Sequence, residues 1–239
     1  MRLPRQAIVA VALTLAGAGL FARLGLWQLH RLAERRAFNA HLQERLAAAP
    51  LPVTALPSDS AAGHFRRVTA SGVFDFEAQV VLTARSRSGS PGVHVLTPLR
   101  LPGGALVMVN RGWVYSDDAK SIDLAKWREG AGDTVRITGY AETWWGRDTS
   151  TVPGAPRAMR SLDSSGVAAR VGSAVLPYYI VQTSDSANTN TRPVRLGEPV
   201  LDDGSHKSYA IQWFTFALIA VIGGSLLVRQ VLQESGGRA

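Results

Sequence analysis

Residues 209–228 read YAIQWFTFALIAVIGGSLLV, twenty consecutive positions without a formal charge, closed by Arg229. At about 1.5 Å of rise per residue, such a helix crosses a hydrocarbon core of about 30 Å. Tyr209, Trp213, Phe214 and Phe216 crowd its first two turns, where amphipathic rings favour the headgroup boundary. A surface helix of a water-soluble domain has a polar face, whereas this stretch is apolar all round. Residues 206–228 are therefore expected as a transmembrane helix, with a tail over 229–239.

A second charge-free stretch, Ala7 to Ala22, follows Arg2 and Arg5 and reaches Trp27 if Arg23 extends its guanidinium to the interface. Two readings stand for it. The basic start and Ala16-Gly17-Ala18 resemble a cleaved signal peptide. Leu20, Phe21, Leu24 and Leu26 carry the apolar run past that site to Trp27, which favours an uncleaved helix over 6–27 behind a short tail, 1–5. Trp27 to Ala49 contains no Pro or Gly and places Phe38, Leu42 and Leu46 on one helical face, so the span should continue as a helical neck over 28–49.

The formal charge of +8 would suit nucleic acid if it were concentrated on the domain. It is not: residues 65–205 hold 16 Lys and Arg against 14 Asp and Glu. Most of the excess flanks the apolar segments, at Arg2, Arg5, Arg23, Arg31, Arg35, Arg36, Arg45, Lys207 and Arg229. Membrane lipid, rather than nucleic acid, is the expected partner of that charge. The arginines after the first span would hold the domain in the cytoplasm, while the basic N-terminal tail favours the opposite, so charge leaves the orientation open. The absence of cysteine excludes disulfides, thiolate metal sites and cysteine nucleophiles.

Residues 50–64 and 184–192, rich in Pro, Ser, Ala, Thr and Asn, read as a linker and a loop around a domain over 65–205. Short β-branched stretches at Phe65 to Phe74, Gln79 to Ala84, Val93 to Arg100, Ala105 to Val114 and Thr134 to Ala141 predict strands, with reversals at Pro91-Gly92 and Pro102-Gly103-Gly104. The spacing predicts an antiparallel meander, open or closed into a barrel. Asp117 to Glu129 and Leu162 to Val171 are candidate short helices, Tyr178 to Thr183 a late strand and Pro193 to Leu201 an edge strand. The expected class is α+β: two transmembrane helices flanking a mostly antiparallel β domain with one or two short helices.

Catalytic motifs are missing: there is no His-Glu-x-x-His, no phosphate-binding Gly-Lys-Ser/Thr loop and no Gly-x-Ser-x-Gly elbow. His30, His41, His64, His94 and His206 are too dispersed to suggest a zinc site. Asp117-Asp118 and Asp202-Asp203 read as solvated turns or helix starts. A non-enzymatic role is expected; a membrane hydrolase or cyclophilin-like enzyme built from distant residues is the alternative from the enzyme class.

Four segments, in order, carry a resemblance. Leu24-Gly25-Leu26-Trp27-Gln28-Leu29-His30-Arg31-Leu32 closes the first span; Gly92 to Leu99, with Thr97-Pro98, and Val109-Asn110-Arg111-Gly112-Trp113-Val114 lie in the domain; His206-Lys207-Ser208-Tyr209-Ala210-Ile211-Gln212-Trp213-Phe214 opens the second span. Together they resemble the signatures of the surfeit locus protein 1 family, the cytochrome c oxidase assembly factors. Ser205, Tyr115 and the stretch Trp144 to Arg160 depart from the family pattern.

The resemblance implies a membrane-bound assembly factor that assists heme a insertion into oxidase subunit I, or a tethered scaffold that recruits oxidase subunits without heme. Subunit I and heme A synthase are the implied partners. The cell (inner) membrane is the implied location, with both termini cytoplasmic and the domain on the outer face. His206 is the implied heme a ligand, because a neutral imidazole beside a span can hold iron; an interfacial His that ligates nothing is the other reading. Arg31, or Arg23, Arg35 or Arg36, would contact the propionates. The remaining matched residues have structural readings. Trp27 and Trp213, with Tyr209, are interface anchors, Gly25 is a close-packing point, and Gln28 and Gln212 hydrogen-bond in the headgroup zone. Thr97 and Pro98 mark a strand, and in Arg111-Gly112-Trp113 the Arg stacks on or pairs across the sheet.

Overall fold

The structure is a computed structural model that describes residues 4–145, 152–183 and 192–236. The ends of both tails, including Arg2, residues 146–151 of the unmatched stretch and residues 184–191 of the expected loop lie outside the described residues. The chain forms two compact units, Met1–Gln43 with Leu201–Ala239, and Glu44–Val200.

The first unit is a pair of antiparallel helices. One helix, α1 (Arg5–Ala47), runs unbroken through the expected span and neck. At 43 residues it is roughly 65 Å long, twice the thickness of a hydrocarbon core. Its partner, α4 (His206–Gly236), is the second apolar helix. In each, only 6% of the most apolar window is buried, so the apolar surface faces outward. A core helix would be mostly covered; these two are long and apolar enough to cross a bilayer.

What the helices do bury is a narrow seam of mostly small residues. The least exposed positions recur at three- and four-residue spacing: Ala7, Ala10, Thr14, Phe21, Gly25 and Gln28 on α1; Ala210, Trp213, Ala217, Ala220 and Gly224 on α4. A Cβ on Gly224 would collide with Thr14, and one on Gly25 would sit 2.8 Å from the Phe214 ring. Phe21 stacks on Trp213 with ring centroids 5.9 Å apart. The expected Phe38, Leu42 and Leu46 face needs correction: Leu32, Asn39, Leu42 and Leu46 are buried, while Phe38 is exposed beneath the Arg35 guanidinium, 5.8 Å away.

In the second unit, β2 (Arg67–Phe74), β4 (Ser90–Arg100), β5 (Leu106–Tyr115), β6 (Thr134–Thr143) and β8 (Val175–Gln182) close into a ring in the order β2-β4-β5-β8-β6. Four pairings are antiparallel and one, β5 with β8, is parallel, so the expected meander holds only in part. This is the connectivity of a five-stranded Greek-key barrel of the OB type. Alternate residues fill it: Val68 and Ala70, Val107 and Val109, Ile137 and Ala141, Tyr178 and Ile180 share one core with Phe74, Phe76 and Leu99. β3 (Val80–Arg87) extends the sheet from β4, and the two-residue strands β1 (Leu51–Pro52) and β7 (Ala158–Met159) close its edges. Residues 50–64 are more ordered than a linker: they include β1, a 3₁₀ turn at Val53–Ala55 and α2 (Ser60–Gly63), and Val53 and Leu56 join the core.

Several local expectations are displaced for identifiable reasons. The β3–β4 reversal falls at Ser88-Gly89, both with positive φ, the two-residue turn that matches strand twist. Pro91 and Gly92 lie inside β4, where a Cβ on Gly92 would collide with the Trp113 indole. Asp117 to Glu129 contains only a 3₁₀ turn, Leu124–Trp127, because the Asp118 carboxylate captures the backbone N–H groups of Lys120 and Ser121 in a tight turn. Pro193 to Leu201 makes one bridge, Val194 to Trp113, since Pro193 and Pro199 cannot donate to a ladder. The other short helix forms as α3 (Ser164–Val171), capped by Asp163.

Arg111 is the extra residue of a β-bulge: Leu96 faces Asn110 and Val95 faces Gly112. Gly112 carries φ 129°, and a Cβ there would run into the Val194 carbonyl. Gly112→Ala should destabilise the domain by at least about 2 kcal/mol, combining backbone strain with the clash. Denaturant melts of the full chain in detergent, followed through domain tryptophans, should show a lower midpoint than the wild type.

Candidate functional site

The matched residues separate into two groups. Those in the domain are committed to packing. The Arg111 side chain has no exposed surface; its guanidinium lies over Phe74 and Phe76, 5.1 and 5.2 Å from the ring centroids. It donates to the Trp127 carbonyl at 2.5 Å and reaches Glu129 at 3.5 Å, where Arg195 and Arg192 also converge at 2.8 and 3.1 Å. Burial pulls its pKa down to about 10, against the opposing pull of Glu129, so it stays charged at neutral pH. Thr97 donates to Gln79 at 3.2 Å in the same buried patch, and the Pro98 carbonyl accepts from the Asp75 N–H. Trp113 donates its indole N–H to the Arg85 carbonyl at 3.2 Å. Gln79, Glu129 and Arg195 carried no sequence signal, because all three lie outside the strands and meet Thr97 and Arg111 only through side-chain contacts made in the folded domain.

Asn110 organises the bulge from the other side. Its Oδ1 accepts from the Gly112 N–H at 3.1 Å, and its amide donates to His94 Nδ1 at 3.2 Å. Burial, reinforced by nearby Arg85, lowers the His94 pKa from 6.5 to about 4.

The second group lies at one end of the helix pair. His206, half-buried at the start of α4, places Nδ1 2.9 Å from Oε1 of Gln28 on α1, 178 positions away in sequence. The segment leading into α4 is tied to α1 at further points. The Asp202 carbonyl accepts from Asn39 at 2.7 Å and Arg35 at 3.2 Å, and Asp203 pairs with Arg36 at 2.7 Å. Arg31, Glu34, Arg35, Phe38, Asp202, Gly204 and His206 surround a cavity of about 460 Å³, a size typical of small-ligand sites.

The structure therefore brings His206, Gln28, Arg31 and Arg35 to one end of the pair, and it engages Arg36 with Asp203. Arg23 is exposed and does not line the cavity. Trp27, Tyr209 and Gln212 are exposed on the outer surface of their helices, whereas Trp213 turns into the seam against Phe21. Asn39 is not singled out by the sequence, although a polar Asn among Leu32, Leu42 and Leu46 was the available signal, and Asp202, expected only as part of a solvated turn or helix start, instead holds Asn39 and Arg35 through its carbonyl.

The sequence profile of the SURF1 family matches residues 15–218, which takes in both helix-end motifs and the whole barrel. This chain belongs to the SURF1 family. It is similar to a SURF1-like protein of Mycobacterium tuberculosis, 30% identical over 223 residues that cover 91% of this chain and 80% of that one. A SURF1-like protein of Monosiga brevicollis is 26% identical over 231 residues, 90% and 86% of the two chains. Surfeit locus protein 1 of Arabidopsis thaliana is 38% identical over 115 residues, 43% of this chain and 32% of that protein. Membership in the SURF1 family, with two apolar terminal helices, gives the chain a membrane-associated role in cytochrome c oxidase assembly in general.

The lowered pKa of His94 has a signed consequence. The unfolded chain takes up a proton below about 6.5 that the folded ring refuses until about 4, so stability present at neutral pH is lost as pH falls through that window. Unfolding at pH 7 and pH 5 should show a loss of about 1 kcal/mol, below the roughly 1.8 kcal/mol that the full shift would give over those two pH units because the ring is only partly buried. His94→Gln should flatten this component of the pH dependence.

Proposed function

We propose that this SURF1-family chain holds heme a during delivery to oxidase subunit I, and that the His206 end of the helix pair is the holding site. The supporting observation is the convergence of an imidazole, two guanidinium groups and an aromatic ring on one cavity of about 460 Å³. These residues fit an iron porphyrin in chemistry. His206 offers a nitrogen ligand, Phe38 an apolar face, and Arg31 and Arg35 forks for carboxylates. When bound, the group would supply an iron centre for the imidazole and two propionates for the arginines.

The chain's own part is binding and shielding. Arg31 is paired with Glu34, but both are more than half exposed, and such pairs contribute only about 0–1 kcal/mol. Exchanging Glu34 for a propionate would therefore cost little. Arg35 is held by the Asp202 carbonyl and by Phe38, so it presents its charge from a fixed position. The proposal places both termini in the cytoplasm and the domain on the outer face of the cell membrane. Heme A synthase would be the donor partner, and membrane lipid would surround the spans.

A scaffold that recruits oxidase subunits without heme is the second reading. It is favoured by the domain motif residues, since Thr97, Arg111, Gly112 and Trp113 are absorbed in packing and leave the barrel as a docking body.

Full-length protein coexpressed with the heme A pathway should purify with a heme a spectrum, and His206→Ala should remove most of that pigment and lower oxidase heme content. A colourless wild type with normal heme content in the variant would refute the holding site. Equal recovery of subunit I from a heme A deficient strain would then select the scaffold. A reporter active only outside the cytoplasm, inserted at the exposed Gly103-Gly104 turn, should be active; silence would refute the proposed orientation.

A further inference from the structure

We infer that Gln28 is a positioning residue for His206: its side-chain carbonyl fixes the imidazole tautomer that keeps the proton on Nδ1 and leaves Nε2 bare. The nature of the ligand rests on the heme-holding reading; the tautomer does not. An amide oxygen can only accept a hydrogen bond, so Oε1 of Gln28 at 2.9 Å requires the proton on His206 Nδ1. In a neutral ring the lone pair then lies on Nε2. If Gln28 presented its amide nitrogen instead, the proton would sit on Nε2 and that atom could ligate nothing.

The surroundings make the bond a fixed feature rather than a chance approach of two side chains. Gln28 follows Gly25 by three positions on the seam, where the missing Cβ admits the Phe214 ring and holds α4 close. Just before His206, the Asp202 carbonyl is held by Asn39 and Arg35 and the Asp203 carboxylate by Arg36. The backbone on both sides of the His206–Gln28 bond is thereby tied down. A partner that orients a ligating histidine typically contributes 10–100-fold in metal affinity.

The test begins without heme. In full-length protein in nanodiscs, with ¹⁵N-labelled histidine and His206→Ala used to assign the signals, His206 should show a protonated Nδ1 and a bare Nε2 at alkaline pH. Gln28→Leu, which cannot accept, should abolish that preference; Gln28→Glu, which can, should keep it and shift the Nδ1 proton downfield. In titrations with ferric heme, Gln28→Leu should weaken binding about tenfold or more while Gln28→Glu retains it. A protonated Nε2 in the wild type overturns the inference, and so does a Gln28→Leu variant with unchanged tautomer. If the tautomer behaves as expected but no form binds heme, the positioning role stands and the heme reading fails. The wild-type and Gln28→Glu spectra decide the matter even if Gln28→Leu does not fold.

Discussion

The close approach of α1 and α4 is the constraint on which the helix-end site depends. Both helices turn most of their apolar surface outward, so in lipid there is little hydrophobic gain in bringing them together. Association must come from tight packing of small residues and from polar bonds between the helices. Thr14 against Gly224 and Phe214 against Gly25 supply the packing. The bonds from Asn39, Arg35 and Arg36 to Asp202 and Asp203 supply the polar component, and they all lie at the His206 end. The seam thus sets the distance between the helices, and the polar cluster locks their register.

The barrel depends on a different device. One extra residue in β5 sends Arg111 inward, into a patch already occupied by Phe74, Phe76, Gln79 and Thr97. Burying a guanidinium is expensive, and breaking such a buried pair by removing one partner commonly costs about 3–5 kcal/mol. The arrangement is tolerated because aromatic faces, the Trp127 carbonyl and Glu129 surround the charge. The domain residues that carry the family resemblance therefore hold the bulge, while those at the helix ends hold α1 and α4 together.

Features encoded within a short stretch of sequence were readable from it. The spans, most strands and the α3 helix follow from composition, periodicity and capping within a few residues. The features that needed pairing across the chain were not: barrel closure, the parallel β5–β8 pair and the burial of Arg111. Phe38 was misplaced because a four-residue spacing with Leu42 and Leu46 cannot reveal that Asn39 faces inward in its stead. Pro91-Gly92 looked like a turn because both residues favour turns, yet Gly92 is there to admit the Trp113 indole. At the helix ends, His206 was legible as an unusual residue in an unusual place. Its bond to Gln28 was not, since neither side chain suggests the other from 178 positions away.

That separation also sets when the site can exist during synthesis. Synthesis delivers Gln28 early and His206 only after the barrel strands, so the bond between them cannot form until the last helix has been made. The bond is thus a property of the finished helix pair, absent from any chain that stops short of α4.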